Sequence, residues 1–125
     1  MENRQIGLSI LIVTWNGDEF LENCLKSLRA ACGLAPEIVV VDNANLQSTR
    51  DVVSRFENAK YVASNENLGF AGGNNLGLGH CSRPYILLLN NDTIVHQEPF
   101  SQMVRYLEDN PRVAVVQGKM RLVRQ

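Results

Sequence analysis

The chain of 125 residues contains no apolar run approaching the ~18–20 residues needed to cross a bilayer. Its longest are Leu8–Val13, Ile38–Val41 and Tyr85–Leu89, the length of buried strands. It lacks an excess of either charge. Twelve Lys and Arg stand against 13 Asp and Glu, a formal −1, which excludes a dedicated binder of nucleic acid or acidic membrane. It lacks a cysteine framework, since Cys24, Cys32 and Cys81 are odd in number and have no metal-like spacing. They read as reduced, buried thiols of a cytosolic protein. The polar start Met1–Gln5 has none of the three regions of a signal peptide. His80 and His96 belong to no catalytic constellation, and neither Ser64 nor Ser101 sits in a nucleophile elbow. There is no repeat, linker or low-complexity segment. What remains is ordinary globular composition, 45% hydrophobic and 20% charged, which rules out a disordered chain and suits one domain.

Hydrophobic periodicity alternates between two kinds. Ile6–Thr14 is a near-continuous apolar run, as in a strand buried on both faces. Residues 18–32 follow a helical period, with Phe20, Leu21, Cys24, Leu25, Leu28 and Cys32 on one face. Asn16 and Asp18 are candidate N-caps, and Gly33 a natural residue just past the helix end. The spacing then predicts a strand over Glu37–Asp42, a helix over 49–57, a strand over Lys60–Ala63 and a glycine-rich loop over Asn65–Gly79 running into an irregular helix. Beyond it come a strand over Tyr85–Leu89, a helix over Glu98–Asp109 and a fifth strand over Val113–Gln117, before a basic tail, Lys119–Gln125, that is a strand or frayed. This alternation is the pattern of a three-layer α/β/α fold with a mostly parallel, doubly wound sheet.

Ligands of open α/β sheets bind beyond the C-terminal ends of the strands. There the sequence places Thr14-Trp15-Asn16, Asp42-Asn43, Asn65–Gly69 and Asn90-Asn91-Asp92-Thr93, four polar loops on one edge. Asp42 and Asp92 are its only strand-end carboxylates. Each is either the N-cap of the next helix or functional. Asp42 could accept from a base imide or a sugar hydroxyl. Asp92, beside Asn90 and Asn91, could hold a hard divalent cation (Mg²⁺ or Mn²⁺) together with waters and ligand phosphates. Trp15 either stacks on a base or packs beneath its loop. The run Gly69–Gly79 has five glycines in eleven residues. It is either a helix packed tightly on the sheet or a backbone that a nucleotide approaches, with Asn74 and Asn75 in reach. Its spacing matches neither the dinucleotide nor the P-loop fingerprint.

The ordered motifs Leu8–Asn16, Glu37–Asn43, Asn67–Gly77 and Leu87–Thr93 together resemble the N-terminal half of a family 2 glycosyltransferase. The wording of Gly69–Asn75 and Leu87–Asp92 is most similar to the rhamnosyltransferase-like branch. The resemblance implies a GT-A nucleotide-diphospho-sugar fold and inverting transfer from a UDP- or dTDP-linked sugar to an acceptor hydroxyl. It implies that Thr14, Trp15 and Asn16 line the nucleotide pocket and that Asp42 holds the base. Asn67, Gly69, Asn74 and Asn91 would border base, ribose and diphosphate, and Asp92 with Asn90 would carry the metal. Three positions depart from the family's pattern. Asn90 replaces the first aspartate of D-x-D, Asn74 stands where many members carry arginine, and Asn45-Leu46-Gln47 replaces a Ser/Thr-Asp-Gly turn.

In the family the catalytic base and the acceptor site lie well downstream of D-x-D. Here only 33 residues follow Asp92, and no acidic residue follows Asp109. The whole chain, 1–125, therefore reads as a donor-binding part, truncated at the C-terminal side of the fold, whose acceptor-binding part is absent and which alone is inactive. A strand left unpaired near 113–124 would invite self-association. The setting implied is surface polysaccharide or glycolipid synthesis, in the cytoplasm or at the inner face of a membrane. A non-catalytic nucleotide-sugar binding module is the alternative. A phospho-receiver domain is disfavoured, because no acidic pair follows the first strand and Lys119 is the only candidate for its strand-end lysine.

Overall fold

The computed structural model describes residues 6–122. Its elements run β1 (Leu8–Thr14), α1 (Asp18–Cys32), β2 (Glu37–Asp42), α2 (Gln47–Ser54), β3 (Ala59–Ala63), α3 (Gly69–Leu78), β4 (Tyr85–Asn90) and α4 (Phe100–Asp109). The four strands form one sheet in the order β3-β2-β1-β4, and every pairing is parallel. Thr14 pairs with Asp42, which pairs with Ala63, and Val13 pairs with Asn90. All four strands thus end on one rim.

The pleat divides β1 and β2 between two faces. Ile10, Ile12, Ile38 and Val40 pack with Leu21, Leu25 and Leu28 of α1, Val52 and Val53 of α2, and Phe100 and Val104 of α4. Leu11, Val39 and Val41 turn to the other face, where Leu76 of α3 meets them. Being buried on both faces is why β1 and β2 read as unbroken apolar runs.

Helix α3 approaches the sheet unusually closely. A Cβ on Gly77 would stand 2.2 Å from Leu11 Cδ1 and 2.8 Å from Val41 Cγ2, and one on Gly73 would stand 2.7 Å from Val13 Cγ1. The glycine-rich run is thus a helix whose backbone lies directly on β1 and β2.

Several expectations are corrected. Val113–Gln117 forms no strand, and residues 113–122 carry no regular structure. An apolar run becomes a strand only with a hydrogen-bonding neighbour, and this one has none; Val115 is 82% exposed. The sheet edge left open is therefore β4 rather than a strand near 113–124. Of the tail, residues 119–122 are irregular and 123–125 lie outside the described residues. Neither Asn16 nor Asp18 caps α1. Gly17 takes the N-cap position without a side-chain bond, while the Asp18 carboxylate accepts from Thr49 Oγ1 at 2.5 Å and ties the start of α1 to α2. Gly33 does end α1, at φ 60°. The cysteines are free thiols, but only Cys24 is buried; Cys32 and Cys81 are half-buried. Burial, then the nearby Asp92 charge, pushes the Cys24 thiol up to about 12.

At the opposite rim, where the strands begin, one carboxylate gathers the chain. Glu37 accepts from Ser9 Oγ (2.9 Å), the Ser82 amide (2.8 Å) and Ser82 Oγ (2.7 Å), and pairs with Lys60 (3.1 Å). Burial alone would raise its pKa, but the Ser82, Ser9 and Lys60 bonds together outweigh it and bring it down from 4.5 to about 2. Beside it Arg83 donates to the carbonyls of Ile6 and Ala35.

Because the folded pKa lies below the unfolded one, the Glu37 contribution is present above about pH 4.5 and is lost as pH falls toward 2. It amounts to on the order of 3 kcal/mol. Glu37→Gln should cost a comparable amount at pH 7 and flatten the acid limb, as circular dichroism against pH will read. Gly77→Ala should cost about 1–3 kcal/mol by overpacking. Gly79→Ala, where a Cβ meets nothing closer than Leu76 O at 3.6 Å, should instead be neutral or raise Tm slightly.

Candidate functional site at the C-terminal rim

The sheet parity sorts the rim residues before any ligand is considered. Odd-numbered positions of β1 and β2 face α3, so the residues just past Val13 and Val41 open toward α3 or away from it in turn. An open cleft of about 300 Å³ forms on the α3 side, lined by Val13, Thr14, Trp15, Asn43, Asn67, Gly69, Phe70 and Asn91. Of the residues expected at the site, Thr14, Trp15, Asn67, Gly69 and Asn91 are brought together here. Thr14 is buried and accepts from Asn91 Nδ2 at 3.0 Å, which joins the ends of β1 and β4. Trp15 stands 60% exposed with its ring free, so it does not pack beneath its loop. Gly69 adopts φ 71°, a left-handed turn that favours glycine, and its amide is held by Asn67 Oδ1 at 3.0 Å. Asn16 lies next to the cleft in a left-handed conformation, φ 49°. Gly17 follows because a Cβ there would stand 2.8 Å from Asn91 Nδ2.

Asp42 is placed elsewhere, which corrects the expectation that it faces the pocket. It is completely buried. Oδ1 accepts from the Ala44 amide (3.0 Å), and Oδ2 from the Leu46 amide (2.8 Å) and Tyr61 Oη (2.6 Å). The carboxylate thus shapes the turn into α2. Burial, then the Asp42 bond and charge, keep the Tyr61 phenol well above its usual range, and Arg50 lies 4.6 Å over its ring. The residue that sequence reasoning missed is Asn43. It is buried in the cleft wall, donates through Nδ2 to Gly69 O at 2.9 Å and accepts from the Leu68 amide at 3.4 Å. The parity of β2 was the available signal, since Asp42 continues the Ile38–Val40 face and Asn43 the Val39–Val41 face. Phe70 is a second lining residue that the sequence did not single out.

Asn74 is also not in the cleft. It lines a neighbouring groove on α3, 7% exposed, and its Oδ1 has no hydrogen-bond partner. Asn90 ends β4 and Asp92 lies in the turn just beyond it, both exposed and outside the lining of the cleft. Among the described residues no three His, Cys, Asp or Glu side chains group as a metal cage. Asp92 with two amides is a donor set for a hard cation only when water and phosphate oxygens complete it. The residues fit a cation carried with a diphosphate, not a preformed all-protein site.

A parallel sheet with helices on both faces and a polar cleft at its C-terminal rim defines an open α/β domain of the kind that binds ligands at that rim. The model for Glycosyl transferase family 2 matches residues 9–121, and the chain belongs to that family. It is 25% identical over 125 residues to the poly-beta-1,6-N-acetyl-D-glucosamine synthase of Staphylococcus epidermidis, covering 97% of this chain and 30% of that one. The corresponding synthase of Staphylococcus aureus (strain COL) is 25% identical over 119 residues, 93% of this chain and 29% of that one. The chain thus spans about 30% of the length of these curated relatives. Among solved structures it resembles the mannosyltransferase PcManGT from Pyrobaculum calidifontis, in complex with GDP-Man and Mn²⁺, with TM-score 0.73 at 21% identity over 82% of this chain and 32% of that one. It also resembles S. aureus TarS, with TM-score 0.71 at 21% identity over 82% of this chain and 19% of that one. The fold is GT-A-like, with four parallel strands.

Asp42→Ala strands two buried amides and a phenol, so it should cost about 2–4 kcal/mol and lower Tm clearly. Trp15→Ala removes an exposed ring and should change stability by less than about 0.5 kcal/mol. Thermal unfolding of the two variants separates the scaffold residue from the surface one.

Proposed function

We propose that this chain is the donor-binding part of a family 2 glycosyltransferase that takes a UDP- or dTDP-linked sugar. The observation that carries the reading is the rim cleft, in which an exposed indole faces a wall of amides at the C-terminal ends of β1, β2 and β4. Trp15 offers a stacking face for the base. Thr14, Asn67 and Asn91 offer hydroxyl and amide groups to ribose and phosphate. Asn43 braces the wall of the pocket by bonding the Leu68 and Gly69 backbone. Asp42 acts through the turn it holds rather than on the base.

None of the residues lining the cleft is cationic, so a diphosphate there needs a counter-charge from outside the protein. Asp92, with Asn90, would hold a Mg²⁺ or Mn²⁺ ion, which supplies Lewis-acid neutralisation of the leaving diphosphate oxygens when bound. PcManGT, the structural neighbour solved with GDP-Man and Mn²⁺, supports a nucleotide-sugar and a cation at such a rim. In the reaction the acceptor oxygen forms a bond to the anomeric carbon as the bond to the diphosphate breaks. The acceptor proton passes to a carboxylate base. No carboxylate lines the cleft, so we give this chain the donor and assign the base to none of the lining residues. The Gly69–Asn75 and Leu87–Asp92 wording favours a rhamnosyltransferase-like donor. The Staphylococcus relatives, poly-beta-1,6-N-acetyl-D-glucosamine synthases by name, support a polysaccharide product; we infer its synthesis in the cytoplasm or at the inner face of a membrane, with a saccharide or lipid-linked acceptor. No helix of the described residues is long and apolar enough to cross a membrane.

Thermal-shift titration with UDP, dTDP, GDP and ADP, with and without Mn²⁺, tests the reading. UDP or dTDP at 100 times its Kd should add about 2.7 kcal/mol, with Mn²⁺ required and Asp92→Ala abolishing the metal-dependent part. A folded sample that no nucleotide shifts would refute donor binding by this chain.

A further inference from the structure

We propose, on the strength of the donor-site reading above, that Ser27 of α1 is a positioning residue for Asp92, and that its hydroxyl governs how well this chain holds a divalent cation beside a bound nucleotide. Asp92 is placed by a turn rather than by a regular element. The Thr93 amide donates to Asn90 O at 3.2 Å, which closes Asn90–Thr93 with Asp92 in its third position. Residues 93–99 then run without regular structure, so neither a ladder nor a helix of their own fixes the turn.

Side chains of other elements fix it instead. From β1, Thr14 Oγ1 accepts from Asn91 Nδ2 at 3.0 Å. From α1, Ser27 Oγ accepts from the Val95 amide at 3.0 Å and donates to Cys24 O at 2.7 Å. The hydroxyl thus uses its proton and a lone pair at once, which an alanine methyl cannot do. One turn earlier on α1, Cys24 is completely buried, and its thiol reaches Asn90 O at 3.9 Å, the same oxygen that closes the turn. Cys24 and Ser27 therefore meet the two ends of the segment 90–95 that carries Asp92. The thiol stays neutral in its buried place, so it sets no second negative charge beside the carboxylate.

A carboxylate that shares a cation with phosphate oxygens has to stand at a fixed distance from them. Removing a group that holds such a ligand from behind typically weakens metal binding about 10–100-fold. Neither Ser27 nor Cys24 lines the cleft, and the Asn91–Thr14 bond that ties the turn to the cleft wall involves neither of them. The Ser27 bond therefore acts on the cation-dependent part of nucleotide binding and leaves the cation-free part as it is. A bond that only knitted α1 to a loop would lower stability without changing the balance between the two parts.

Titration of the 125-residue chain with UDP, dTDP, GDP and ADP tests this, by calorimetry with Mn²⁺ and by NMR chemical shift into the millimolar range without it. For the nucleotide that binds, the two affinities give the factor by which the ion tightens binding. Ser27→Ala should cut that factor about tenfold while the affinity without Mn²⁺ holds, and Ser27→Thr, which keeps the hydroxyl, should restore it. If Ser27→Ala does not fold by circular dichroism, Ser27→Cys, close in size but a weak acceptor, takes its place with the same expected loss. An unchanged factor in the folded variant, an equal loss with and without the ion, or a Ser27→Thr chain that behaves like the alanine variant overturns the proposal and leaves the donor reading standing. A wild type that binds nucleotide with no response to Mn²⁺ overturns it as well. A folded wild type that binds none of the four nucleotides overturns the donor reading and this proposal together.

Discussion

The close seating of α3 on the sheet is the constraint from which the rest follows. With hydrogen atoms at positions 73 and 77, the helix backbone rests directly on Val13, Leu11 and Val41. That height fixes where Gly69 and Phe70 stand at the rim, and so the depth of the cleft between α3 and the ends of β1 and β2. Asn43 completes the arrangement by bonding the backbone of Leu68 and Gly69. One side chain at Gly77 would lift the helix, and the cleft wall with it.

Much of the fold was legible in the sequence because its signals are local and strong. The apolar runs of β1 and β2 and the polar loops after each strand lie where they were read, and so does the Leu21–Leu28 part of the α1 stripe, while Phe20, read on the same face, is 60% exposed. What failed depended on partners that a sequence does not display. Val113–Gln117 has the composition of a strand, but pairing decides a strand, and none is supplied. Asp18 has the chemistry of a cap, but Thr49 of another helix claims its carboxylate.

The site was legible as a rim and less so residue by residue. Asp42 drew attention as a strand-end carboxylate, yet its position on the Ile38–Val40 face sends it under the turn into α2. The neighbouring amide, Asn43, inherits the cleft. Asn74 sits one residue beyond Gly73, on a part of the helix turned away from the cleft and toward β4. In both cases a single-residue step along a regular element changes which space a side chain enters, and composition does not record that step.

The glycines of α3 also make the helix dependent on the sheet it covers. Gly72, Gly73 and Gly77 lie inside a ten-residue helix, at a cost of about 1 kcal/mol each relative to alanine. Such a segment has little tendency to be helical by itself and gains its stability by docking on a sheet already formed. Its stability therefore comes from the sheet rather than from its own sequence. The wall of the cleft thus rests on a helix whose order depends on the sheet beneath it.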